Sequence, residues 1–393
     1  MKNLTAVILN AFIIFPALVS HVFASEVSLK GYASIVAGRT LDAVDPATET
    51  ERLTNIYALD YQNKFSFKNE SLFAVQADAD LGDGLTATVL LYQDGSDDYN
   101  SEAFNAYIGY QVNDRLRVNA GRIPWPLFQY TDFLDVAYTY PWISPPAGVY
   151  DIAGANYLDG ITGIYFMPVG RWDLTLQMHS NLDNINGMKA ILSNSWISFN
   201  TVFVLNDSNT VRGIPPYEDA AASLEAEGYT QQADDLLVDG DKGKFFSVGF
   251  NIDYQNWLAI GEYAQIEFDP SWFSDFYTHY LMLGRRFGDF TVHVTYDHQR
   301  EEPQLEALNG VPPTQFVDFF GRQAPVSLIE SVLRGRAQTY KNWIYGVRYD
   351  FHHSAAIKLE YLQNNTKDGD NKTLGGIKKF DQDLVRVAID LVF

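Results

Sequence analysis

Three carboxylates, Asp132, Asp135 and Asp151, fall within one stretch that is also dense in Tyr, Trp, Phe and Pro. Five basic residues elsewhere, Lys30, Arg117, Arg348, Lys358 and Arg386, share the parity of small or polar residues along their segments, while apolar residues take the other parity. Fixed charges of both signs facing each other across a narrow, water-filled passage select ions by their field. Asp78, Asp80, Asp297, Asp350, Glu360 and Asp390 fall on the same parities, so part of the basic set is expected in salt-bridge networks. The aromatic stretch also supplies Tyr130, Tyr138, Tyr140 and Trp142, whose ring faces could stack a sugar or an aromatic solute.

Catalysis finds less support. His179, His279, His293, His298, His352 and His353 are scattered, and the pair at 352–353 sits in a turn. His293 and His298 are read as flanking one strand on the lumen parity, without a nucleophile partner. No Gly-x-Ser-x-Gly, His-Glu-x-x-His, Walker loop or dinucleotide fingerprint is present. The chain has no cysteine, which excludes disulfides and thiolate metal sites. An enzyme is not expected, and no cofactor or metal is implied. The 28 Lys and Arg against 49 Asp and Glu argue against nucleic acid, whose phosphates need a basic face.

The elements that would position these charges have a period of two. Val385, Val387, Ile389, Leu391 and Phe393 oppose Arg386, Ala388 and Asp390. Phe246, Val248, Phe250 and Ile252 oppose Ser247, Gly249, Asn251 and Asp253, and Phe290 to Asp297 repeats the alternation. Each such segment is a strand with one wet and one apolar face. Tight turns at 82–84, 112–114, 168–170, 193–195, 255–256, 288–289 and 352–354 alternate with longer polar connections. The long ones lie near 41–68, 94–102, 123–157, 206–243, 268–273, 298–338 and 365–380, with a shorter one near 180–187.

That order predicts an all-β fold: a transmembrane antiparallel barrel of about 16 strands, with short turns at one end and long loops at the other. Trp172, Trp196, Trp257 and Phe290 open strands directly after tight turns, and Tyr110, Phe166, Tyr254, Phe287 and Phe351 close strands before them. Such placement matches an aromatic girdle at a membrane boundary. Lys2, the apolar stretch from Leu4 to Val19 and Val22-Phe23-Ala24 predict a cleaved secretory signal over 1–24, leaving a barrel over 25–393. The acidic 206–243 connection predicts two short helices, one opened by Pro215-Pro216 and one by Thr230, on a solvated external face.

The terminal segment from Asp383 to Phe393 resembles the last strand of Gram-negative outer-membrane proteins, and the whole pattern resembles the general porins. Tyr130-Thr131-Asp132-Phe133-Leu134-Asp135 is similar to the porin stretch that folds into the barrel. The Pro-Glu-Phe-Gly-Gly that follows it in porins is replaced here by Asp135-Val136-Ala137-Tyr138. The resemblance implies that 124–157 is an inward-folded constriction loop 3, that the protein lies in the outer membrane, and that it forms a homotrimer. It implies partners in outer-membrane lipid, lipopolysaccharide and small hydrophilic solutes and ions.

The resulting expectation is a porin for passive diffusion of small hydrophilic solutes and ions. Its cation preference is weak, because acids outnumber bases in the lumen set. The alternative is a channel selective for one solute class, such as sugars or aromatic compounds.

Overall fold

Along most of the chain the buried parity is the polar one. Thr88, Asn119, Thr162, Asn200, Thr278, Thr295, Asn342 and Asn364 are buried, whereas Val89, Ile108, Phe199, Phe203, Leu281, Val292 and Trp343 are exposed. A soluble sandwich would invert this assignment. Polar residues turned inward and apolar residues turned outward are what a lipid-embedded cylinder requires, because every strand must pair on both edges when no water is available outside.

The computed structural model describes residues 26–41, 61–150, 157–211, 215–311, 330, 333, 338–368 and 380–393. The signal segment 1–24 lies outside the described residues. β1 (Glu26–Thr40) and β2 (Leu72–Gly82) are followed by β3 (Leu85–Asp94), β4 (Ser101–Asn113), β5 (Leu116–Pro124) and β6 (Tyr157–Val169). β7 (Trp172–Ser180), β8 (Ile185–Ser193) and β9 (Ile197–Val211) lead to β10 (Val238–Tyr254), β11 (Trp257–Phe268) and β12 (Ser274–Phe287). β13 (Phe290–Pro303), β14 (Gln338–His352), β15 (Ala355–Asp368) and β16 (Phe380–Val392) complete the set. Three short helices intervene: α1 (Ala147–Tyr150), α2 (Pro215–Ala226) and α3 (Thr230–Leu236).

Each strand pairs antiparallel with its sequence neighbours, and β1 pairs with β16 to close the barrel. The closing seam explains the terminal phenylalanine. The Phe393 carbonyl accepts the Gly31 N–H at 2.8 Å and the Phe393 N–H returns to the Gly31 carbonyl at 2.9 Å. The Phe393 ring lies over Gly31, where a Cβ would stand 2.3 Å from it, so a larger residue there would have to displace the ring. Inside the seam, Ser34 Oγ donates to Asp390 Oδ1 at 2.5 Å.

Every predicted tight turn joins two strands, and every long connection leaves from the opposite end. The 206–243 region departs from its expected bounds. β9 runs on to Val211 and β10 starts at Val238, so the strands extend beyond the loop limits read from polarity. The two helices do form, and Ala220, Leu224 and Leu236 bury against Trp272, Leu308 and Leu333 from neighbouring connections.

Candidate functional site

After β5 the chain does not continue outward. Pro124 closes β5, and Pro126, Pro141, Pro145 and Pro146 fix φ and remove amide donors, which disfavours extension of the strands through the segment. Two 3-10 turns, Thr131–Phe133 and Ala137–Thr139, and then α1 carry it through the barrel interior. Its rings pack mainly on one another. The Tyr130 centroid lies 5.7 Å from Tyr140, 5.9 Å from Trp142 and 5.6 Å from Phe133.

The cluster sits on an apolar patch of the wall. Val202 and Val204 of β9, Phe245 of β10, Leu258 and Ile260 of β11 and Met282 of β12 point inward and bury against it. These strands are apolar on both parities there, which breaks the alternation and is the sequence signal of a seat for the loop. Removing a large side chain from water is worth roughly 1.5–3 kcal/mol, so the rings supply most of the attachment.

Polar anchors fix the register. Trp142 Nε1 donates to Thr295 Oγ1 at 2.8 Å. Lys358 Nζ donates to the carbonyls of Ala137, at 2.6 Å, and Trp142, and pairs with Asp390 at 2.8 Å. Arg348 Nη1 donates to the carbonyls of Tyr138 at 2.6 Å and Tyr140 at 2.8 Å, while Asp350 holds the other side of its guanidinium. Glu360 Oε1 accepts the Ile143 N–H at 2.8 Å, and Arg386 joins Glu360 to Glu70 with 2.5 Å contacts to each. Gly148 approaches β13 so closely that a Cβ would lie 2.5 Å from Asp297 Oδ1, and its N–H donates to Asp297 Oδ2 at 3.3 Å.

Two wall residues that sequence reasoning missed belong to the same set. Lys189 of β8 donates to the Phe128 carbonyl at 2.7 Å and stands 3.6 Å from Asp132. Glu262 of β11 accepts the Gln129 N–H and the Tyr150 hydroxyl, each at 2.9 Å. Both have the inward parity, so the strand period could have found them. Glu262 was masked by its apolar neighbours Leu258 and Ile260.

The five predicted wall bases therefore divide. Lys358 and Arg386 have side chains no more than 2% exposed, and with Arg348 they hold the loop and its carboxylate partners rather than line an open passage. They turn inward as their parity predicts, and peptide carbonyls of the loop and neighbouring carboxylates use their donors. Arg117 donates to Asn119 Oδ1 at 2.9 Å and Thr86 Oγ1 at 2.8 Å, and Lys30 pairs with Asp78 at 3.1 Å near the turn end of the barrel.

Among the loop acids, Asp132 keeps its side chain 37% exposed. Burial, with Asp94 and Glu102 nearby, pushes the Asp135 carboxyl up to about 7. Asp151 lies outside the described residues.

The four rings proposed for stacking divide as well. Tyr130, Tyr140 and Trp142 are buried in the loop cluster and pack on neighbouring rings; Tyr130 and Tyr140 also border a cavity beneath the loop, whereas Trp142 does not. Tyr138 is half-buried, donates its hydroxyl to the His353 carbonyl at 2.9 Å and lies under the Arg348 guanidinium at 4.8 Å. Arg122 points outward, as its parity requires, and is held by Asp159 at 2.9 and 3.1 Å. His293 turns inward and His298 turns outward from the same strand, so they face different environments.

No family profile matches the chain, and no curated protein matches it either. Solved structures do. OmpF of Salmonella typhi, in complex with daunomycin, is similar with a TM-score of 0.56 at 13% identity, over 93% of this chain and 97% of that one. The anion-selective porin of Comamonas acidovorans gives 0.52 at 15% identity, over 94% and 99%. The outer-membrane protein OmpT of Vibrio cholerae, in its trimer form, gives 0.55 at 11% identity, over 94% and 99%. The closed 16-strand barrel is thus the fold of the outer-membrane porins.

Proposed function

We propose that this protein is a channel of the Gram-negative outer membrane through which small hydrophilic solutes and ions diffuse passively, with a weak preference for cations. The single observation that carries the preference is an asymmetry of exposure. At the loop itself, the bases Lys189, Lys358 and Arg386 are sealed against carbonyls and carboxylates, whereas Asp132 keeps its side chain 37% exposed. The exposed Lys30 stands away from the loop, paired with Asp78 near the turn end. Charge that reaches water in a narrow passage sets the field a passing ion meets. Similarity to an anion-selective porin does not bear on this sign, because the fold is shared while the lining residues are not. Reversal potentials under a potassium chloride gradient in planar bilayers test it: a cation-selective offset is expected, and a chloride-selective one overturns the reading.

A homotrimer is part of the same proposal, supported by the similarity to a barrel solved in a trimer form. Outer-membrane lipid and lipopolysaccharide would be its surroundings. The chemistry is passage rather than catalysis.

A second reading, selectivity for one solute class, has its own support. A cavity of about 470 Å³ lies beneath the loop, between Phe133 and Tyr138 on one side and the Arg286–Asp253 and Arg348–Asp350 pairs on the other. An apolar floor rimmed by a few polar groups is the usual make-up of a small-molecule site. Liposome swelling across a panel of sugars and amino acids separates the readings, since a general channel ranks them by size alone.

A further inference from the structure

The outer surface of β11–β15 departs from a plain lipid-facing wall at one row of residues. Trp257, Arg285, Val292, Val347 and Leu359 are direct cross-strand partners in succession, so they form one line across five strands. Arg285 is exposed on the outward parity of β12, next to the exposed Leu283 and Phe287. Its neighbour Arg286 turns inward to Asp253, at 2.6 Å. Among the described residues no carboxylate pairs with Arg285. Its guanidinium instead lies over the rings of Trp257 and Phe287, at 4.7 and 5.1 Å. Trp257 is the first residue of β11 after a tight turn and Phe287 the last of β12 before one, so the cation sits at the short-turn boundary.

From Arg285 the row continues as Val292, Val347 and Leu359, whose short side chains run between taller rings. Tyr345 and Tyr361, stacked at 6.2 Å, border it on one side, and Trp257 and Phe287 border it at the turn end. The result is an apolar trough of about 670 Å³ on the outer face, with an unpaired guanidinium at its end.

An arginine that merely reaches toward water needs no trough beside it. One that is braced by two rings, with its edges free, presents parallel N–H donors to an oxyanion. We propose that this trough binds one anionic glycerophospholipid of the periplasmic leaflet, its phosphate on Arg285 and an acyl chain along Val292, Val347 and Leu359. The proposal rests on the outer-membrane reading above, which fixes the short-turn end as periplasmic. Charge complementarity selects the phosphate, and the trough selects a chain rather than a soluble anion.

The test is native mass spectrometry of the full chain released from mixed micelles of phosphatidylglycerol and phosphatidylcholine. Wild type is expected to retain one phosphatidylglycerol per barrel, at about a fivefold preference, the size of one interfacial cation's attraction to an anionic lipid. Arg285→Gln is expected to abolish the preference, and Val292→Trp, which fills the trough, to lower retention of both lipids. Equal retention by wild type, or an unchanged ratio in Arg285→Gln, overturns the proposal. Planar-bilayer conductance is recorded for each variant: channels that open normally without lipid preference refute the lipid site alone, whereas failure to insert refutes the membrane reading beneath it.

Discussion

Lys358 on β15 donates its ammonium to the carbonyl of Trp142, 216 residues earlier in the chain, and is neutralised by Asp390 on the adjacent β16. A buried ammonium is stable only when its charge is paired and its protons are used, and here the loop peptide uses them. The clamp ties the loop's position to the barrel wall near its closing seam.

Lys358→Met should therefore release the loop. It leaves Asp390 buried without its cationic partner and the Trp142 carbonyl without the ammonium donor, a cost of about 3–5 kcal/mol for breaking a buried pair. The expected results are a lower midpoint for heat-induced unfolding, followed by gel mobility, and larger current fluctuations in single channels. Unchanged noise with an unchanged midpoint would show that Lys358 does not secure the loop.

Asp132→Asn combined with Asp135→Asn should shift permeability toward anions. These carboxylates are the acids the described loop carries, and removing them leaves Lys189 beside the former Asp132 position with a charge no longer offset. Reversal potentials read the shift, and permeability ratios equal to wild type would place the selectivity elsewhere.

The pH dependence has a definite sign. Burial raises the folded Asp135 carboxyl to about 7, above its ordinary value near 4. Loop packing around it is therefore fully stable at low pH and weakens as pH rises through the window from about 4 to 7, as the buried acid ionises. Single-channel noise should grow between pH 4 and pH 7 while cation preference increases as the carboxyl ionises, and Asp135→Asn should flatten both trends. A variant that keeps the wild-type pH profile would assign the titration to another group.

Tyr138→Ala tests the cavity under the loop. Loss of the half-buried ring and its bond to the His353 carbonyl should raise swelling rates modestly for all solutes if the channel is general. A drop confined to one solute class would favour the selective reading.

Much of this architecture was legible before any coordinates. The alternation of Phe246 to Asp253 and of Val385 to Phe393 assigns inside and outside strand by strand, because side chains on a pleated strand have a period of two. The outward position of Arg122 follows from the same rule, and the turn read at 352–354 forms at His353–Ser354, directly after His352 closes β14. Reading failed where an inward face is apolar. Leu258 and Ile260 hid Glu262, and the rings of the loop were taken for open surfaces when their first demand was to bury one another.

Local pattern thus determined the barrel, its strand number and the face each charge occupies, since these depend on neighbours two residues away and on the order of turns. Only the tertiary structure decided what each charge does. Arg348, Lys358 and Arg386 could have lined a passage; whether they do depends on what lies opposite across the closed sheet, more than 200 residues away in the cases of Tyr138, Ala137 and Ser144. Such pairings arise from the closure of the cylinder and the inward path of one loop, and no local periodicity encodes them.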